Sequence, residues 1–589
     1  MQRKRRLRKV DSVQDFQAQE YDSVQYAVSD DIVAYMRLVA AIAVLSDGVT
    51  IKLPRPIISQ GSIGSRIWNE SDGNWDLDEE SEKVSLAELK TLILPDGTVI
   101  KDGTTDYLFD NCGNLEYVKL SHDFSKIGDY MFGQCSNLSS VTIPDSVLSF
   151  GYGAFDGCSA LTSIAIPDSV LSIGEQDTFM GCSRLASVTI GNSVASIPDR
   201  AFNGCSALTS IAIPDSVSGI GDSAFASCTS LSSVTIGNSV KSIKQYAFSS
   251  CRSFSSVTIG NSVSHIEYCA FQGCESLDEI ELPDSINIID RYAFDGTNLT
   301  SVTIGSGLTD VQDSIWGENG NSSIRSVTLR DGLRIIPTEF FKSCSALSSI
   351  TIPDSVTSIG DDAFRYCSAL SSIIIIPDSV KSIGNCVFDG TNLTSVTIGS
   401  GLTDVGYGIF GENGSSSIRS VTLRNGLSAI RASMFFNYSV LSSITIPDSV
   451  MSIGDNAFHD CFNLSSVTIG NSVKSIGNDA FYYCGITSVT IPNSVMNIGN
   501  GAFSWCSNLS SIIIGSGVTR VGESAFEGCS SLTTIRIMST HEIDLKNALS
   551  KYYEPYGPYT IYVPSSKVDY YTNHFTGEKW EGVTIEPIS

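Results

Sequence analysis

The chain has 589 residues, 42% hydrophobic and only 17% charged, with 63 acidic side chains against 37 basic ones and a net charge of −26. The acidic excess excludes a nucleic-acid-binding body, which needs a basic face to neutralise phosphates. No apolar run reaches the roughly 18 residues of a membrane-spanning helix, and the apolar content is too high and too regularly spaced for a disordered chain.

Residues 1–28 read as a basic tail and linker, because Arg3, Lys4, Arg5, Arg6, Arg8 and Lys9 fall together with no acid among them. The apolar stretch of about 7–15 residues that a secretory signal needs does not follow. Such a run is a solvated tail or a contact for an acidic partner. Residues 29–84 read as an N-terminal helix followed by a cap or attachment region. Ser29 can N-cap the helix, Asp30 and Asp31 suit its positive end, and Gly48 lies just past its close. Ile32, Tyr35, Val39 and Ile42 would share one face. The acidic stretch beyond it, with Trp68 and Trp75, is expected to fold over the first coil of the next segment.

From 85 to 538 the chain repeats. One unit, Leu185 to Cys205, reads L-A-S-V-T-I-G-N-S-V-A-S-I-P-D-R-A-F-N-G-C. Its aromatic anchor returns every 22 to 26 residues, from Phe109 through Phe202, Phe225 and Phe248 to Trp316, Phe410, Phe436 and Phe526. The S-V-T-I piece alternates polar and apolar, as a half-buried strand does. Gly or Pro followed by Asp or Asn then turns the chain, and S-V-x-S-I adds a second short apolar pair. A-F-x-x-C closes the coil. Leu185, Val188, Ile190, Val194, Ile197, Ala201, Phe202 and Cys205 cannot be enclosed by one such unit, whereas stacked units bury one another's apolar edges.

The phrase L-x-S-[VI]-x-I-[PG]-[DN]-S-V-x-x-I-G-x-x-A-F-x-x-C resembles the BspA-like (Treponema-type) leucine-rich repeat over about three quarters of the chain. It departs from the general leucine-rich pattern, with Ser193 and its equivalents where Asn or Cys would follow the strand. The resemblance implies a mainly β repeat solenoid, a curved rod of about 19–20 coils of ~23 residues with strands on one side. It further implies a non-enzymatic adhesion protein of the cell surface or extracellular space, binding a protein or glycan on another cell, matrix or particle. Export would require a signal, and none is recognisable here. The alternative is a phage or viral structural component, a fibre or decoration protein carried on a virion through its N-terminal region.

Fourteen of the sixteen cysteines stand three residues after an anchor, and Cys269 and Cys386 two before one. Thr297, Asn319, Thr391, Asn413 and Ser439 replace the thiol singly, whereas disulfides would be lost in pairs. The thiols therefore read as reduced, buried and space-filling. No spacing suits zinc, no Walker or dinucleotide loop is present, and the five histidines form no catalytic set. His459 beside Asp460 and Cys461 is the nearest approach to one. The expectation is no catalytic residue, no metal and no cofactor.

The candidate partner-binding face is the outward row between the inward strand residues: Thr142, Thr189, Thr235, Thr258, Thr303, Thr328 and Thr351, continuing to Thr397, Thr422, Thr445, Thr468 and Thr490. Ala165, Ala212, Glu281 and Arg536 interrupt it. Threonine also suits a pleated surface on its own account. Residues 539–589 read as a C-terminal cap, with Tyr552, Tyr553, Tyr556, Tyr559, Tyr562, Tyr570, Tyr571 and Trp580 clustered in it. The ending I-Y-V-P-S-S-K-V-D-Y-Y…W resembles one common in the same family.

Overall fold

The computed structural model describes residues 40–45, 50–54, 56–59, 62–69, 74–77, 84–100, 104–371, 373–411, 417–549, 559–577 and 580–588. The chain is a β-solenoid of about 21 turns, each of ~23 residues, with few helices. It divides at Asn298/Leu299 into two units, taken in turn.

In the first unit a coil has a short strand, a turn, a second two-residue strand (a single bridge at Ile197 and at Ile220) and an irregular corner. Strands of successive coils pair in parallel and in register: Ser233 lies opposite Ser210 and Ser256, and Thr235 opposite Ala212 and Thr258. A second ladder runs through Ser242–Ile243, His265–Ile266 and Ile288–Ile289. The register survives unequal coils, since the extra residue between Ser163 and Ser187, paired in register 24 residues apart, is taken up outside the strands, where it does not turn inward side chains outward. The Asp or Asn after the turn has a stacking role too. Asp215 Oδ1 accepts the Asn238 N–H at 2.6 Å, and Asn238 Oδ1 accepts the Asn261 N–H at 3.1 Å, each from the next coil.

The corner is held by the backbone. Residues two before and two after the anchor are left-handed, as at Arg200 and Gly204 around Phe202, or Ser223 and Ser227 around Phe225. These two reversals turn the anchor inward and aim its N–H along the stack. Phe202 donates to the Ala224 carbonyl and Phe225 to the Ala247 carbonyl, both at 2.8 Å. The rings form a continuous column: Phe202–Phe225 and Phe225–Phe248 have centroids 5.2 and 5.3 Å apart with planes 6° and 2° from parallel. All three are fully buried.

The helix expected from Ser29 is not what its C-terminal part forms. Ala40–Leu45 is a strand, antiparallel to Thr50–Pro54 and to Leu89–Ile93. Leu89–Ile93 carries the solenoid's first parallel pairing on its other side, to Tyr117–Lys119. An unpaired strand edge is costly, and pairing there outweighs the helical pattern of A-A-I-A-V-L, a run too short for periodicity to settle. The remainder, residues 29–39, and the basic tail lie outside the described residues.

The second unit repeats the same coil. Ser301–Ile304 pairs Ser326–Leu329, and Ser395–Ile398 lies between Ile374–Ile376 and Ser420–Leu423. The anchor assigned to Phe436 is a correction. Phe435 is the buried ring, stacked on Phe458 at 5.1 Å and 14°, and the spacing between these two is the regular 23 residues. The thiol position of that coil is consequently filled by Tyr438, fully buried and edge-on to Phe410 and Phe435, rather than by Ser439. At the end, Thr560–Val563 and Thr584–Pro587 extend the parallel ladder beyond Thr534–Ile537. Helix Val568–His574 places Tyr571 in the core, where its hydroxyl accepts the Ile543 N–H at 3.2 Å. Tyr552, Tyr553 and Tyr556 lie outside the described residues.

Candidate interaction surface

Strand alternation decides which residues this surface can contain. In Ser233–Ile236, Val234 and Ile236 are buried while Thr235 faces solvent. Thr142, Thr189, Thr258, Thr328 and Thr351 are exposed likewise, and Thr303 is half-buried. The structure brings these threonines together only in short runs. Thr235 and Thr258 are direct neighbours, as are Thr303 and Thr328, but Thr142 faces Lys119 and Thr189 faces Ala165. Thr351 lies in no strand, so no ladder fixes its neighbours.

Two hydroxyl rows differ here, one just before the strands and one on their outward face. Ser232 Oγ donates to the Thr209 carbonyl at 3.0 Å and Ser255 Oγ to the Ser232 carbonyl at 3.2 Å, so these serines brace one coil against the preceding one. Thr189, Thr235 and Thr258, by contrast, have no side-chain hydrogen bond to any described residue. Each offers a donor, two acceptor lone pairs and a methyl group to whatever lies outside.

In the second unit the outward strand position carries other chemistry as well. Thr490 is followed in register by Ile513, Arg536, Tyr562 and Glu586. The Arg536 guanidinium lies 5.0 Å from the Tyr562 ring centroid. Sequence reasoning treated Arg536 as an interruption and Tyr562 as part of a cap. Their juxtaposition depends on a strand pairing across the non-repetitive Met538–Tyr559 segment, which no periodicity announces.

The cysteines three residues after an anchor form an inner column with a bonding role. All sixteen cysteines are buried and unbridged. Cys228 Sγ donates to the Phe202 carbonyl at 3.2 Å and Cys251 Sγ to the Phe225 carbonyl at 3.1 Å, one coil back in each case. Where threonine replaces the thiol the donor turns within its own coil instead: Thr297 and Thr391 Oγ1 donate to the Phe294 and Phe388 carbonyls, three residues back, at 2.8 Å. Burial pushes the Cys251 thiol up to about 12, and Cys344 and Cys506 equally, far from a reactive thiolate. Cys461 donates to the Phe435 carbonyl at 3.2 Å, while His459, stacked between Phe436 and Tyr482, has its Nδ1 3.1 Å from Asp460. That pair is not a nucleophile with its base.

Parallel coils of this length, with a ladder of short strands, an aromatic column and solvent-facing hydroxyls, define a leucine-rich-repeat scaffold. The chain belongs to the BspA-type leucine-rich-repeat family, whose six-copy repeat-region model matches residues 104–218, 195–321, 319–440 and 430–551. The comparisons indicate no catalytic family. No curated protein matches. A solved leucine-rich repeat protein from Bacteroides ovatus is similar at 25% identity, over 65% of this chain and 92% of that one, with a TM-score of 0.46. The T. pallidum leucine-rich repeat protein shares 26% identity over 32% of this chain and 83% of its own, with a TM-score of 0.27. A leucine rich cell surface protein from Faecalibacterium prausnitzii shares 22% over 83% and 96%, also with a TM-score of 0.27. No helix among the described residues is long and apolar enough to cross a membrane.

Proposed function

We propose that this chain is a non-enzymatic interaction scaffold, an adhesion protein of the cell surface or extracellular space, whose outward strand face takes a protein or glycan ligand. The observation that carries this reading is the division between the two hydroxyl rows: the bracing serines are consumed by the stack, while Thr189, Thr235 and Thr258 stand exposed and unbonded within it. Affinity then comes from many weak contacts along a surface, in keeping with repeat proteins that bind through extended faces.

The test is the double variant Thr235→Lys, Thr258→Lys. Both sites are exposed, so stability should stay within about 0.5 kcal/mol of the parent. Binding of the full chain to a glycan array and to a panel of immobilised matrix proteins should fall at least about tenfold, the ~1.4 kcal/mol expected from losing two central contacts. Binding equal to the parent's, with an unchanged melting curve, would place the contact face elsewhere. Antibody labelling of intact producing cells separately tests the surface location.

A further inference from the structure

The left-handed corner position two residues after the anchor is occupied by glycine in many coils, with φ of +71° at Gly181, +76° at Gly204 and +70° at Gly273. Other coils use Ser227, Ser250 or Asn437 there. Among the described residues three coils instead carry a large ring: Tyr366, Tyr483 and Trp505, with φ of 62°, 58° and 61°. Bulky side chains disfavour this conformation, and a disfavoured backbone kept at an exposed position is a reason to look for a ligand.

Tyr366 and Tyr483 stand in nearly the same phrase, D-D-A-F-R-Y-C at 361–367 and N-D-A-F-Y-Y-C at 478–484. In the first, the Arg365 guanidinium lies 4.8 Å from the Tyr366 centroid, 3.0 Å from Asp389 and 3.4 Å from Asp362. In the second, Asp479 takes the place of Asp362 and Tyr483 that of Tyr366, but Tyr482 stands where the arginine would. The Tyr483 ring remains 46% exposed, with Phe462, 45% exposed, edge-on to it at 5.4 Å and Trp505 at 6.5 Å. Asp479 makes no ion pair among the described residues. Its burial raises its pKa, against the opposing influence of nearby His459, which itself pairs with Asp460 at 3.1 Å.

We propose that this corner receives an arginine side chain from a basic segment of a partner protein. The guanidinium stacks on Tyr483 and pairs with Asp479, reproducing in trans what Arg365 does in cis at Tyr366. A planar guanidinium satisfies ring and carboxylate together better than an ammonium does, and a net charge of −26 draws basic segments toward the chain. This site is separate from the threonine face and does not depend on it.

The experiment is fluorescence anisotropy of the full chain with a labelled peptide of four arginines alternating with glycines, at physiological salt, beside its lysine and glutamate counterparts. The arginine peptide should bind saturably, the lysine peptide at least fivefold more weakly, and the glutamate peptide not at all. Tyr482→Arg, which rebuilds the internal guanidinium, and Asp479→Asn should each weaken binding at least tenfold, whereas Asp362→Asn should not. Tyr483→Gly, whose glycine suits the left-handed backbone, should lose binding without lowering Tm, which separates loss of the site from loss of the fold. Absence of saturable binding, equal binding by Tyr482→Arg and Asp479→Asn, or equal affinity for the lysine peptide would each overturn the proposal.

Discussion

Phe225→Ala should destabilise the chain by about 3–5 kcal/mol, the range for removing a fully enclosed Phe, and lower the midpoint of denaturant unfolding followed by circular dichroism. The magnitude comes from the column. Phe225 is fully buried and has a stacked partner on each side at 5.2 and 5.3 Å, so truncation removes two ring contacts and leaves a cavity bounded by Phe202 and Phe248. The coil cannot collapse into that cavity, because its corner is pinned by the Phe225 N–H bond to Ala247 and the Ser227 N–H bond to Ser249. Phe436→Ala, one residue from the corresponding ring of its own coil, should cost far less, since Phe436 is only half-buried. A loss at Phe225 no larger than at Phe436 would mean that the column is not the principal source of cohesion.

Alkaline unfolding should be the second large effect. Burial holds several of these thiols neutral in the fold, with Cys112 pushed from the ordinary 9.0 to about 11 and Cys251, Cys344 and Cys506 to about 12. A group whose folded pKa is raised contributes stability that is whole below its unfolded value and declines as pH rises toward the folded one. Between about 9 and 11–12 each such thiol therefore withdraws roughly 1.4 kcal/mol per pH unit. Several act together, so unfolding should become steep above pH 9 while stability near pH 7 is unaffected by these groups. At pH 8 a thiol-specific reagent should label the native chain orders of magnitude more slowly than the denatured one, in which all sixteen react. Fast labelling of the column in the native state would contradict the inward bonding of these thiols.

How much of this was legible in the sequence depends on what each residue answers to. Period, strand alternation, thiol column and solvent-facing threonines are consequences of coil length and apolar spacing, and both are written in the chain. The choice between Phe435 and Phe436 was not, because two adjacent rings match the pattern equally and only the stack on Phe458 distinguishes them. Ala40–Leu45 was misread because its conformation answers to the open edge of Leu89–Ile93, some 45 residues away. The left-handed corner had a visible signature in Gly181, Gly204, Ser227 and Ser250 at one register position. The rings at Tyr366, Tyr483 and Trp505 concealed it, since nothing in a Tyr or Trp codon position announces a positive φ. On the threonine face, exposure was legible and continuity was not: Thr142 and Thr189 have non-threonine partners where strands pair, and Thr351 has no strand at all.

The dependence of each coil on its two neighbours is tested most directly by residue-resolved hydrogen exchange of Phe225→Ala beside the parent chain. The amides of Phe202, Phe225 and Phe248 donate to Ala224, Ala247 and Ala270 in successive coils at 2.8 Å. Protection should fall first at these three, fade over the following coils, and persist at Phe109 and Phe503. An equal fall along the whole chain, or one confined to the substituted coil while Phe202 and Phe248 stay fully protected, would contradict cohesion by nearest-neighbour stacking.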